Sequence, residues 1–338
     1  MYPMDALIPK EKPLNEFPMN ILQIHQSNNE TETFFVSNIV NKTNSEIVAS
    51  PNRDFLNWIY GIFNGENFKP LEVAGSDDKK PPGKCPTCNC GITNVMQRIV
   101  GGIVTKIKAY PWMVALTNKN RFFCGASAIN SRYLLTAAHC TVGISKDSLT
   151  AVFLEHDRSD PSETKVFKKK IISILKHKSY LSGGNFDYDI ALLKLENHIQ
   201  FAGEMKPICL PTIGKSFTGM IGKALGWGAT AEYGQVSSKL REVDVPIISN
   251  EDCRNTKYGN KITGNMICAG YPKEGGKDGC QGDSGGPLQV VNQTKNMIVG
   301  IVSWGEGCAL KNYPGVYTRV NKFVTWIKAN TRDACYCD

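Results

Sequence analysis

The chain has 338 residues, 41% hydrophobic and 21% charged, which is ordinary for a globular protein and enough for one large domain or two small ones. Its formal net charge is +8, and its densest basic run, Lys168-Lys169-Lys170, reads as a solvated face rather than a nucleic-acid patch. No stretch approaches the ~18 apolar residues of a membrane span, and twelve cysteines, an even number, favour an oxidising compartment.

Residues 1–84 contain no cysteine, are rich in Asn, Glu, Ser and Lys, and show little periodicity. The start, MYPMDALIPKEKPLNEF, has no apolar core of the kind a signal peptide needs, so none is visible in the numbered chain. Against that stand the cysteines and three sequons, at Asn29, Asn41 and Asn292, which fit a secreted glycoprotein. One apolar island, residues 55–63 around Trp58, reads as a short docking helix. The stretch VAGSDDKKPPGK (residues 73–84) is polar and broken by Pro and Gly, and it reads as a linker. A cysteine-rich collar follows at residues 85–90, and then Arg98-Ile99 stands just before a glycine pair.

From Ile99 the character changes. Short β-branched or aromatic runs recur between Gly, Pro, Asn and Asp, among them Trp112–Leu116, Ala126–Ile129, Tyr133–Thr136, Ile171–Leu175, Ile190–Leu195, Met297–Trp304 and Gly315–Val320. This is the pattern of an all-β sandwich or barrel. One helix is expected at the end, where Val320, Phe323, Val324 and Ile327 fall at helical spacing, with Asn321 as the candidate N-cap.

The densest glycine cluster surrounds Ser284 in GCQGDSGGP (residues 279–287). Flanking glycines leave a hydroxyl open and let backbone N–H groups approach a substrate; the plainer reading is an incidental serine in a tight turn. A bare G-x-S-x-G also matches the nucleophile elbow of α/β-hydrolases. That fold needs its histidine after the serine, and all five histidines precede Ser284. Every Asp before His139 lies in the N-terminal segment, so a subtilisin-like order is also disfavoured. The order His…Asp…Ser remains. His139 ends an apolar strand in small residues, LLTAAHC. Asp189 stands at the mouth of the apolar strand DIALLKL, where an unpaired buried carboxylate would be costly. His156, His177 and His198 read as structural histidines.

TAAHC, DIALL and GDSGGP in that order, with IVGG upstream and SWG downstream, resemble the chymotrypsin/trypsin family of serine endopeptidases from Ile99 to about Ile327. The resemblance implies two packed six-stranded antiparallel β-barrels with a C-terminal helix, preceded by a largely irregular pro-segment. Residues 1–98 would be the pro-segment or light chain, and 99–338 the protease domain with a cysteine-containing tail. It implies Ser284 as nucleophile, His139 as general base and Asp189 as its orienting partner, with the N–H groups of Gly282 and Ser284 as oxyanion hole. Ser303 would support Asp189. Asp278, six residues before the nucleophile, would lie at the base of the S1 pocket with Gly305 and Gly315 as its open walls, selecting Arg or Lys. Phe186 and Trp304 match positions that shape neighbouring subsites. Cleavage at Arg98-Ile99 would free an α-amine that pairs with Asp283, so the uncut chain would be a zymogen.

Three disulfides follow from the same resemblance, Cys124–Cys140, Cys253–Cys268 and Cys280–Cys308. Cys85, Cys88, Cys90, Cys209, Cys335 and Cys337 remain, three before the cut and three after it, with Cys209 where retained pro-segments are tethered. Their pairing stays open among 15 choices. A zinc site at Cys85 and Cys88 is the rival, but Cys335 and Cys337 are too closely spaced for a usual zinc knuckle. No cofactor is otherwise expected. The resemblance allows a calcium loop at Glu155 and Glu163, although Lys165 stands near where a second acid would help. The expected partners are protein or peptide substrates with Arg or Lys at the cut site, an activating protease or the enzyme itself, and protein inhibitors. The competing reading is a non-catalytic homologue that works by binding.

Overall fold

The computed structural model describes residues 83, 85–94, 103–181, 186–229, 234–275, 283–307 and 310–338. All lie in one unit of the chain, Val73–Asp338. The apolar island at 55–63, Arg98, Ile99, Asp278, Gly282, Cys280 and Cys308 lie outside the described residues.

After the two-residue strand β1 (Ile103–Val104), six strands close the first barrel: β2 (Met113–Asn118), β3 (Arg121–Ala128), β4 (Tyr133–Thr136), β5 (Leu149–Phe153), β6 (Phe167–Lys176) and β7 (Ala191–Leu195). They close in the order β2-β3-β4-β7-β6-β5. The β2–β3 hairpin turns through Lys119 and Asn120, both at positive φ (48° and 64°), the backbone of a tight two-residue turn. The second barrel takes β8 (Ile221–Gly226), β9 (Arg241–Ile248), β10 (Met266–Ala269), β11 (Pro287–Asn292), β12 (Lys295–Trp304) and β13 (Gly315–Arg319). Here β8 pairs with both β9 and β11, which closes the ring, and β1 adds to the outside of β9. The all-β, two-barrel expectation is met. Closure leaves neither barrel an open edge, which long exposed strands would otherwise present to other chains.

The barrels pack through a buried apolar core in which Trp112, Leu134, Leu135, Phe153, Leu193 and Trp227 are almost wholly enclosed. Between the short helix α1 (Asn250–Cys253) and β10 runs the Cys253–Cys268 disulfide. The terminal helix α2 (Val324–Asn330) follows a 3-10 turn at Val320–Lys322. The expected apolar face is buried, with Val320, Phe323, Val324 and Ile327 all at or below 4% exposure. The expected cap is not. Asn321 lies in the 3-10 turn and its Nδ2 donates to Lys215 O (2.7 Å), so α2 begins at Phe323 without a side-chain cap. A partner across the fold has outcompeted the local one.

The collar belongs to the barrels. Cys85 pairs with Cys335, Cys88 with Cys337 and Cys90 with Cys209. All ten described collar and barrel cysteines are in disulfides, which removes the zinc alternative. Backbone bonds lace the same segment: Gly91 N donates to Pro207 O (2.7 Å), Cys90 N to Asp338 O (2.9 Å) and Asn296 N to Gly91 O (2.8 Å). A buried polar chain continues inward. Asn296 Nδ2 donates to Gly91 O (2.9 Å), Gln289 Nε2 to Asn296 Oδ1 (3.1 Å), and Trp112 Nε1 to Gln289 Oε1 (3.0 Å). Gly91 sits at φ +69°, and a Cβ there would lie 2.4 Å from Asn296 O, so no other residue fits.

Candidate active site at the barrel junction

Asp189 stands just ahead of β7 and is fully buried. A buried carboxylate must be met by donors. Three meet it: His139 N to Oδ1 (2.8 Å), His139 Nδ1 to Oδ2 (2.7 Å) and Ser303 Oγ to Oδ2 (2.5 Å). Thr318 Oγ1 fixes the backbone by donating to Asp189 O (2.6 Å). His139 comes from the first barrel, Ser303 and Thr318 from β12 and β13 of the second. The carboxylate is therefore held from both sides of the junction. Its charge is felt nearby: burial first, and Asp189 second, push the Tyr180 phenol above its ordinary pKa.

A carboxylate only accepts, so the His139 Nδ1 facing it carries the hydrogen. In the neutral ring Nε2 is then the acceptor. His139 opens a 3-10 turn directly after β4, and the Cys124–Cys140 bridge ties that turn to β3. The His139 side chain keeps 22% of its surface exposed while its partner keeps none. The arrangement is an imidazole with one nitrogen fixed and the rest of the ring partly open to solvent.

Ser284 is delivered to the same junction by backbone contacts. Gly125 N, on β3, donates to Ser284 O (2.8 Å), and Gly285 N, on the following residue, donates to Val302 O on β12 (2.9 Å). Gly285 has φ +78°, and a Cβ there would lie 2.3 Å from Thr136 Oγ1 and 2.4 Å from Gly125 O. The glycine after the serine thus has a structural task the sequence did not reveal: it lets the serine loop press against β3 and β4. The Asp283 carboxylate lies against Gly226 and Gly228 and accepts from Gly228 N (2.7 Å).

Beside His139 runs an aromatic row. The Phe186 ring centroid is 6.1 Å from His139 and 6.5 Å from Trp304, and Tyr258 lies 4.8 Å beyond Trp304. Phe186 is 41% exposed, so the row offers an apolar surface next to the base. Gly305 follows Trp304, and Gly315 opens β13 opposite Ala269. Gly125, Thr318 and Tyr258 were not singled out from the sequence. No motif marks them, since their roles come from the pairing of strands distant in the chain.

The other three described histidines have partners elsewhere. His156 lies between Glu163 Oε2 and Thr105 O (both 2.8 Å), His198 Nδ1 meets Ser131 Oγ (2.9 Å), and His177 stacks on Tyr188 (4.8 Å). The calcium expectation fits the loop poorly. Glu163 Oε2 is occupied by His156 and by Asp157 N (2.9 Å), and Glu155 Oε1 accepts from His156 N (3.1 Å). Burial also pushes the Glu155 carboxyl above its usual pKa. Among the described residues the close grouping of metal-type donors is Cys124, His139 and Cys140, and both sulfurs are locked in one disulfide.

Comparison with known proteins bears on this geometry. A family profile described as Trypsin matches residues 99–327. The chain is 38% identical over 261 residues to the "Clotting factor G beta subunit" of Tachypleus tridentatus, covering 72% of this chain and 82% of that protein. It is 40% identical over 246 residues to "Trypsin-1" of Astacus astacus, covering 69% of this chain and 99% of that one.

Proposed function

The chain belongs to the trypsin family of serine peptidases, and from that premise we propose that it is a secreted endopeptidase, made as a zymogen, that cuts after Arg or Lys. The observation that carries the catalytic reading is the hydrogen-bonded set His139–Asp189–Ser303, fixed from both barrels beside the loop of Ser284. In this reading Ser284 Oγ attacks the scissile carbonyl carbon and its proton passes to His139 Nε2. Asp189 holds the Nδ1–H and stabilises the imidazolium that forms. The carbonyl oxygen, now an oxyanion, accepts from the N–H groups of Gly282 and Ser284. Losing one such donor typically costs roughly 2.7–4 kcal/mol of barrier. His139 then gives its proton to the leaving amine, and water repeats the sequence on the acyl-enzyme. The chemistry runs on side chains and backbone N–H groups alone.

Specificity rests on Asp278, which at the base of a pocket flanked by Gly305 and Gly315 would pair with a long cationic side chain. Activation rests on Arg98-Ile99, whose cleavage would free an ammonium for Asp283. The three bridges of the collar join residues before that bond to residues after it, so the cut light chain would stay attached. Secretion is supported by the five disulfides among the described residues, where no cysteine is free. Protein inhibitors and an activating protease, or self-activation, are the partners this implies.

The test compares purified chain before and after a brief cut at Arg98-Ile99 on matched amide substrates ending in Arg, Lys, Phe or Ala. Activity that appears only after the cut, and only with Arg or Lys, supports both zymogen and pocket. No turnover of any substrate by chain whose new N-terminus is Ile99 would turn the reading to a binding protein.

A further inference from the structure

The charge of this chain is not evenly shared. Residues 103–181 carry thirteen Lys and Arg against five Asp and Glu, an excess equal to the +8 of the entire chain. Several of these cations are committed: Lys108 to Glu204, Arg132 to Asp333, and Lys146 to Asp147. Those on and beside β6 are not. Lys165, Lys168, Lys170 and Lys176 are exposed, and among the described residues none has a carboxylate within ion-pair distance.

Strand geometry makes a track of them. Lys168, Lys170 and Ile172 alternate outward along β6, and Ile171 between them is buried. The ladder shifts between Ile171 and Ser173, and beyond that bulge the outward positions become Ser173 and Leu175, with Lys176 exposed at the end of the strand. Ile172 and Leu175 are 37% and 38% exposed. At about 3.4 Å per residue the stretch from Lys168 to Lys176 is about 27 Å long. Along β6, residues 167–170 pair with β5 and residues 171–176 with β7, so what the strand offers along its whole length is its exposed side chains. The nearby Glu196 carboxylate is engaged by the strand's backbone, its Oε1 accepting from Lys170 N (3.1 Å).

We propose that this outer face of β6 is a docking surface for an extended acidic peptide segment that carries apolar side chains, presented by a protein partner. Exposed lysines alone attract any polyanion, and single exposed ion pairs contribute little. The apolar residues set between the cations decide the class. Ile172 and Leu175 have nothing to contact on a sulfated glycan, whereas an acidic peptide can set an apolar side chain against each while its carboxylates meet Lys168 and Lys170. The surface lies on the first barrel's outer wall, apart from the residues of the barrel junction, and its occupation does not depend on the proposed catalysis.

The probe is a short fluorescent peptide of Asp and Glu bearing two Ile or Phe residues, titrated by anisotropy onto the full-length protein carrying Ser284→Ala. Saturable binding is expected, weakening steeply as salt rises. Lys168→Glu with Lys170→Glu should lower affinity at least tenfold and Ile172→Ser alone several-fold. In the Ser284→Ala background each variant should leave the melting temperature in place, and in the activated wild-type background it should leave hydrolysis of small amides unchanged. Absence of saturable binding, equal binding by the charge-reversed variant, or a sulfated octasaccharide that binds more tightly and ignores Ile172→Ser would each overturn the assignment. Failure of amide hydrolysis would strike the catalytic reading and leave this binding result standing.

Discussion

The barrel junction and the collar are both places where distant parts of the chain are fastened together, and they are fastened by different means. At the junction, Asp189 is held by three hydrogen bonds, two from one residue of the first barrel and one from the second. At the collar, three disulfides and a buried polar chain do the holding. The difference follows from what each has to do. A group that passes a proton must sit in bonds that are individually weak and strongly oriented. On the proposed reading, a light chain cut at Arg98-Ile99 needs bonds that the cut cannot loosen. The junction should therefore be fragile in activity and robust in stability, and the collar the reverse.

The sharpest way to break that contrast is Asp189→Asn. The amide can still fill the site, but it would present a donor or the wrong acceptor geometry to His139 Nδ1 and favour the wrong tautomer. Turnover of an Arg amide should fall about 10⁴-fold, a magnitude taken over from the established triad of this family. A fall of less than tenfold, with an unchanged melting temperature, would mean that His139 is oriented by something else. Ser303→Ala is the milder form. It removes one of the three donors to a buried carboxylate, a bond of about 1.5–3 kcal/mol when one partner is charged. The rate constant kcat should drop about 10- to 100-fold with KM nearly unchanged. If KM rises instead, Ser303 acts on substrate rather than on Asp189.

At the collar the expected signature is inverted. Changing Cys90 and Cys209 both to Ser deletes the bridge that lies next to Gly91 and its polar chain. Stability should fall by about 2–5 kcal/mol, read as a lower denaturation midpoint, while the activity of the folded enzyme at low temperature stays within twofold. A large loss of kcat in the folded double variant would show that the collar and the junction are coupled.

How much of this was legible beforehand depends on range. His139, Asp189 and Ser284 stand in short motifs whose order excludes other folds, so the site's members could be named before any geometry. The five strands at 149–153, 221–226, 241–248, 266–269 and 287–292 were not among the runs singled out. Two of them, LTAVF and MICA, are only five and four residues long; the other three are broken by Gly, Pro or charge, and β9 even buries Glu242, which pairs with Lys223 (2.9 Å). Burial works to lower the Lys223 pKa, but hydrogen bonds and charge from Asp244 and Glu242 outweigh it, and the net shift is upward. Such a pair makes an interior strand look like a surface one. The collar pairing was likewise closed to sequence, because six cysteines within two short clusters and one loop carry no record of which lie opposite. Asn321 failed for the same reason: its choice between capping α2 and bonding Lys215 is made by the tertiary fold.

The smallest effect concerns the seam between collar and first barrel, and it turns on pH. Asp333, two residues before Cys335, is 6% exposed and meets Tyr133 OH (2.7 Å), Lys194 Nζ (3.0 Å) and Arg132 Nη1 (3.2 Å). Burial acts to raise its pKa, but the Tyr133 and Lys194 hydrogen bonds and the Lys194 charge outweigh that, and its carboxyl sits below the usual value. A carboxylate whose folded pKa is depressed stabilises the fold above its unfolded value. The contribution is complete above about pH 4 and is lost as pH falls through the lower folded value. Asp333→Asn should therefore be less stable than the parent at neutral pH and converge with it in strong acid. The denaturation midpoints of the two proteins, followed from pH 7 down to pH 2, should approach each other below about pH 4. Curves that stay parallel throughout would mean that Asp333 carries no charge-dependent stability, and that the disulfides alone hold the tail to the barrel.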